Sequence, residues 1–430
     1  MVSTRKYLLV IGGAVLLSTF LFILNMSDSN PTSSSDEIDK VDVLPTINER
    51  DDQQLKAINV NVSMTSDEFE RLREANNRYM MKYDNVTVQL TNTESTQEAY
   101  SLWKDQFEIG SASDVMLMNS GWVREFAVKG FLRPADRLNT VDTLSEQPAR
   151  LLAPLKWNSY LWGIPNDTDP LILVWNKSLL TLGDFIQPPD DWDDFNLLVN
   201  NIAGVANEAK AVQFGSDLNE LLVWLDIWSS DDEQKSVYMH TNPAETRNDR
   251  LRWIASSASL PQPEGTDWSR SLSIGTEMEQ KQLLSAIVPW SSYKKLPKHE
   301  REKLVIDSSQ IQHVWLDSRS YVVSSSSIVE EEAITWIKEM TNVIEQEQSY
   351  RLFGTLPAKN SLYSANGGFS ESSSEKPPVW WLPVLNDEPL DLPPDPGWQV
   401  RRLSWEKLWQ QYLSETIDME MFIASIQAHS

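Results

Sequence analysis

Between Ala57 and Met118 the chain alternates strand and helix patterns in an order that few architectures accept. Ala57 to Ser63 alternates apolar and polar residues, with Ile58, Val60 and Val62 on one side, which predicts a strand. Ser66 or Asp67 can cap a helix whose apolar positions, Phe69, Leu72, Ala75 and Tyr79, repeat near the helical period. Asp84-Asn85 makes a turn, and Val86 to Leu90 alternates again. A further helix is expected over Gln97 to Glu108, and Asp114 to Met118 reads as a buried strand. The order β-α-β-α-β implies a parallel sheet with right-handed crossovers.

A chain of 430 residues is long enough for two or three domains, at roughly 150 residues each. Its 41% hydrophobic and 10% aromatic content can fill substantial cores. The 62 acids against 37 bases give a formal charge of -25, which repels nucleic-acid backbones and anionic membrane surfaces. There is no cysteine, so disulfides, thiolate metal sites and a lipid-modified N-terminal cysteine are excluded. His240, His299, His313 and His429 are not spaced as metal ligands and read as packed or solvated. No metal or cofactor is expected.

Arg5 and Lys6 precede an uncharged apolar run from Tyr7 to about Met26. That run just reaches the length of a membrane-spanning helix, about 20 residues. Leu24-Asn25-Met26 is a poor match to a signal cleavage site. Residues 1–26 are therefore expected to be an uncleaved anchor rather than a cleaved signal, with the basic flank in the cytoplasm and the body outside. Residues 27–56 are polar and acidic and read as a flexible tether.

Tyr160 to Lys177 is the most informative stretch downstream. An aromatic strand breaks at Gly163 and Pro165, passes Asp167 and Asp169, stiffens at Pro170, and continues as the apolar run Leu171 to Val174. That run is apolar on both alternations, as in a parallel strand covered on both faces. Two carboxylates beside aromatics make a candidate ligand cleft, and equally a polar loop before a buried strand. Trp122 follows the carboxyl end of the third strand, where ligands of open α/β sheets sit, and can also simply pack there. Trp224 and Trp228 share one face of an apolar helix over Asn219 to Trp228, for which core packing is the simpler reading. Trp290 ends another short strand, Ile287 to Pro289. Acids at Asp190 to Asp194 lack calcium-loop spacing and read as a helix cap. Glu330 to about Gln348 is a strongly amphipathic helix. Leu362 to Pro378 reads as a surface loop, and two closing helices are expected over Ser404 to Ser414 and Ile417 to Gln427.

Five of these segments together resemble the extracytoplasmic solute-binding proteins of ABC sugar importers, family 1, the maltose-binding-protein-like group. Gly110 to Val115 resembles the family's "asG-x-x-PDV" strand start, with Ser113 in place of Pro. Glu125 to Pro134 is similar to "a-x-x-G-x-L-x-P-L". Trp162 to Lys177 looks like "y-G-x-P … l-x-Y-N-K", Pro188 to Phe195 like "P-P-x-T-W-d-E-f", and Ala333 to Pro357 like "A-x-x-F-i … G-x-x-P". The family's lipid-anchored cysteine is absent, and Leu283 to Ala286 stands where it has Gly-x-x-Ala-Met.

The resemblance implies an α/β, two-lobe, type II periplasmic-binding-protein-like fold behind the transmembrane helix. Lobe 1 would comprise residues 57–168 and 286–327, and lobe 2 residues 169–285 and 328–430. It implies a non-catalytic protein that binds a carbohydrate-like solute outside the cell and hands it to an ABC permease, and with the lipid anchor absent its single-pass membrane attachment would rest on Tyr7 to Met26. Asp169 matches the acid that bonds sugar hydroxyls, and Trp290 the tryptophan that stacks on a sugar face. Trp122, Trp224 and Trp228 fall in cleft-lining segments, and Asp167 stands beside Asp169. A ligand sensor without transport and a carboxylate-dependent glycosidase are the alternatives.

Overall fold

The computed structural model describes residues 55–136, 144–206, 209–213, 215–228, 245–256, 274–364, 376–387 and 394–428. The anchor and the tether up to residue 54, and the centre of the Leu362 to Pro378 loop, lie outside them. Among the described residues, no helix is long and apolar enough to cross a membrane.

In chain order the first strands are β1 (Lys56–Val62), β2 (Val86–Asn92) and β3 (Val115–Asn119). A short hairpin follows, β4 (Lys156–Trp157) with β5 (Tyr160–Leu161). Then come β6 (Ile164–Thr168), β7 (Leu171–Asn176), β8 (Lys210–Gln213) and β9 (Leu283–Pro289). The last are β10 (Leu304–Ile306), β11 (Ser318–Val323) and β12 (Leu356–Pro357). They build two principal sheets, ordered β12-β6-β11-β3-β1-β2 and β10-β7-β9-β8.

The expected β-α-β-α-β unit is present, with β1 parallel to both β2 and β3. The full sheet is mixed, because β11 runs antiparallel to β3 and to β6. Side chains alternate between two cores. Val115 and Leu117 of β3 face the helix Ser66–Lys82, while Met116 and Met118 face the helices Thr96–Glu108 and Val123–Val128. Helix Ser66–Lys82 is capped by Thr65, one residue before the expected position. Thr65 Oγ1 accepts the Glu68 N–H at 3.4 Å, and Glu68 Oε2 accepts the Thr65 N–H at 2.9 Å.

Strand β7 is buried along its whole length, as its apolar run predicts. Its neighbours β9 and β10 are, however, antiparallel to it. Two-sided burial arises because odd and even positions serve different cores. Leu171, Leu173 and Trp175 pack among Phe195 and Trp224, while Ile172 and Val174 pack near Tyr350 and Trp381.

The chain crosses between sheets at Asp169-Pro170 and returns between β10 and β11. The return falls later than the expected boundary at 286. Strand β9 pairs with β7 from Trp175↔Ser285 to Leu171↔Pro289, which keeps residues 286–306 with the second sheet. Helix Glu330–Met340, expected in lobe 2, packs on the first sheet instead. Its Ala333, Trp336 and Ile337 join the core of Ile58 and Val60, and the Trp336 indole donates to Asn76 at 2.8 Å. The closing helices Trp398–Leu413 and Met419–Ala428 do pack on the second sheet's core, around Trp405, Trp409 and Phe422.

Candidate functional site: an acidic cleft between the two sheets

A cavity of about 330 Å³ opens where the carboxyl ends of β1, β3 and β6 meet the start of β7, with Ser63, Asn119, Asp169 and Leu171 in its wall. It adjoins a second space of about 370 Å³ that shares Asn119, Trp122, Asp217 and Asp317 and reaches Arg402 and Glu406. Sites for small solutes run from roughly 300 to 1,000 Å³.

Asp169 sits at the first crossing. Its Oδ1 accepts the Ser291 N–H at 2.8 Å and its Oδ2 the Ser291 hydroxyl at 2.6 Å. Its own N–H donates to the Asp317 carbonyl at 3.2 Å, which joins the outgoing and returning crossings. Burial pushes its carboxyl up to about 6, against the lowering effect of the two Ser291 hydrogen bonds.

Asp167, two residues earlier on β6, is only 4% exposed and is held by Arg319 of β11. The guanidinium donates from Nε to Asp167 Oδ1 at 2.8 Å and from a terminal nitrogen to Glu68 Oε1 at 2.7 Å, and it also touches Asp167 Oδ2. The fork grips Asp167 with two donors, the strongest form of this contact. The capping box explains why Glu68 is available, since its other oxygen is fixed on Thr65.

Two further acids come from the helix Leu218–Ile227. Asp217 caps it, accepting the Asn219 N–H at 2.8 Å, and Glu220 accepts the Gly215 N–H. Arg402 reaches Asp217 at 3.4 Å and Glu406 at 3.7 Å. Asp317 completes the wall just before β11, and burial with nearby Asp217 pushes its carboxyl well up. Trp122 lines both spaces with little of its ring exposed, packed edge-on to Tyr100 at 5.2 Å and Trp103 at 6.1 Å.

No protein-family model matches the chain, and no curated protein matches it. Solved structures do. Maltose-bound T. maritima MalE3 is 16% identical, superposes with a TM-score of 0.63, and aligns over 86% of this chain and 98% of its own. The cyclic alpha-maltosyl-1,6-maltose binding protein from Arthrobacter globiformis is 13% identical, with a TM-score of 0.63, over 87% and 98%. The GacH receptor of Streptomyces glaucescens, solved unliganded and with acarbose, is 15% identical, with a TM-score of 0.62, over 87% and 97%. The chain has the type II periplasmic-binding-protein fold.

Within this binding-protein fold, the expected site residues divide into two groups. Asp169, Asp167 and Trp122 come together at the cleft. Trp290, Trp224 and Trp228 do not. Trp290 is 3% exposed and packs against Tyr293, Trp380 and Trp381 in the core behind β7. Trp224 and Trp228 belong to an aromatic cluster with Trp192, Phe195 and Trp253. A Trp at a strand end or on an apolar helix carries no local mark of which face it serves. Sequence reading missed Arg319, Asp317, Asp217, Glu220 and Glu68. Of these, Glu68 had a readable signal in the Thr65-x-x-Glu68 capping box, and Asp217 and Glu220 in the Asp217-x-x-Glu220 helix start.

Proposed function

We propose that this chain is a non-catalytic, extracytoplasmic solute-binding protein. It captures a carbohydrate-like solute in the cleft and passes it to an ABC import permease, held at the membrane by residues 7–26. The observation that carries this reading is the cavity of about 330 Å³ at the crossing, walled by Asp169, Asn119 and Trp122. Carboxylate and amide groups there can take paired sugar hydroxyls. The likeness in fold to proteins solved with maltose and acarbose supports the same reading.

The test is a thermal-shift screen of the full-length protein against mono- and oligosaccharides. A ligand that binds the native state alone raises the melting temperature. Asp169→Asn is expected to weaken the responding sugar at least about tenfold, the loss of one charge-assisted hydrogen bond. It should fold normally, because an amide can still accept one Ser291 donor and donate to the hydroxyl. Wild-type affinity should fall as the pH is lowered through about 6, where Asp169 takes up its proton. No melting response to any sugar would reject the reading, and unchanged affinity in Asp169→Asn would reject the role of that residue.

A further inference from the structure

Charge in the cleft is strongly one-sided. Glu68, Asp167, Asp169, Asp217, Glu220 and Asp317 line the cavity, against the single basic residue Arg319. That guanidinium is already shared by Asp167 and Glu68. Arg402 in the adjoining space lies between Asp217 and Glu406. Among the described residues, Asp169 has the two Ser291 donors and no base in contact. Among the described residues, no donor hydrogen-bonds the Asp317 carboxylate, which projects at the cavity wall.

A second observation is independent of charge. Ser63, at the carboxyl end of β1, is 9% exposed, lines the cavity, and its Oγ makes no hydrogen bond. Thr355 also lines the cavity, and its Oγ1 is likewise without a partner. Buried hydroxyls left unpaired are costly, and both residues line a space that a polar solute would fill.

The two observations together specify a ligand. Arg319 offsets Asp167 and Glu68, and Arg402 reaches Asp217, but six acids against these cations leave a negative excess that a neutral sugar would not repay. A metal ion does not fit the arrangement, because among the described residues no three acids or histidines converge to hold one. The negative charge is spread around a cavity of organic-solute size. We infer that the captured solute carries a protonated amine among its hydroxyls, as an amino sugar or a short amino-sugar oligosaccharide does. The ammonium sits against Asp317, between Asp217, Glu220 and Asp169, and the hydroxyls meet Ser63 and Thr355. This inference rests on the carbohydrate reading above. The raised Asp317 and Asp169 carboxyls fit it, since proton and ammonium are alternative answers to the same crowding of acids. The excess of acids over the whole chain would also draw cationic solutes inward.

The experiment uses the full-length protein and matched ligands, read by thermal shift and calorimetry. The panel is glucosamine and its β-1,4 oligomers, their N-acetylated counterparts, glucose, maltotriose and cellotriose, together with putrescine and spermidine. Free-amine sugars are expected to bind at least about tenfold tighter than the N-acetylated matches, as charge-assisted bonds are roughly twice as strong as neutral ones. Equal or weaker binding of the free-amine sugars overturns the inference and leaves the carbohydrate reading standing. A response to spermidine or putrescine but to no sugar overturns the carbohydrate reading and with it the amino-sugar inference. No response to any member overturns both. Asp317→Asn, checked for an unchanged or raised melting temperature without ligand, should collapse the amine-to-acetyl ratio towards one. A ratio that persists in this variant removes Asp317 from the role. The wild-type panel decides the main point whether or not the variant folds.

Discussion

Arg319→Met is expected to destabilise the protein by about 3–5 kcal/mol, because it strands two carboxylates whose shared counter-ion it removes. Asp167 and Glu68 have side chains only 6% and 12% exposed, so water cannot take over the role of the guanidinium. The pH profile distinguishes this cause from simple loss of packing. Burial raises the Glu68 carboxyl, but Arg319 and the Thr65 hydrogen bonds outweigh it and hold the group at about 2. A folded-state value below the ordinary one stabilises the native state above the ordinary value. That stabilisation disappears as pH falls towards about 2. Denaturant melts should therefore show the deficit of Arg319→Met in full at neutral pH and shrinking below about pH 4. A deficit that stays constant into acid would mean that packing of the side chain, not its charge, is what was lost.

Trp224→Ala is expected to cost about 3–5 kcal/mol as a large cavity in a closed core, while ligand affinity stays as in the wild type wherever the variant is folded. Trp224 is 0% exposed. Its ring stacks on Trp253 at 5.6 Å and meets Trp192 edge-on at 5.6 Å and Trp228 at 6.2 Å. None of these tryptophans lines the cleft cavities. Unfolding curves and calorimetry on the same sample separate the two effects. Loss of affinity in a folded Trp224→Ala protein would return this residue to the binding surface.

What the sequence made legible follows the range of the forces involved. Strands β1 to β3 and their helices came from periodicities within a dozen residues, and the structure reproduces them. Two-sided burial of β7 was equally local, but the direction of its partners was not. Whether β9 runs parallel or antiparallel to β7 depends on a pairing more than a hundred residues away in the chain. The same gap misplaced residues 286–306 and the helix Glu330–Met340. The amphipathic face of that helix was clear, but its destination is chosen by Ile58, Val60 and Asn76. At the site, Asp167 and Asp169 stood out because Gly163, Pro165 and Pro170 mark a change of direction around them. Asp317 and Arg319 lie at the start of an ordinary-looking strand. They acquire meaning only when β11 is laid beside β6.

The double hydrogen bond between Asp169 and Ser291 also bears on which positions of the cleft can vary. Both Asp169 oxygens are engaged with Ser291, which ties the first crossing to the start of the helix Trp290–Lys295 after β9. A substitution there that cannot bond both Ser291 groups, as an amide can, loosens this tie as well as changing the chemistry of the cleft. Asp317 carries no such structural duty for its side chain. Substitution is therefore easier to accommodate at Asp317 than at Asp169. The cleft thus separates a position fixed by architecture from one left open to adaptation.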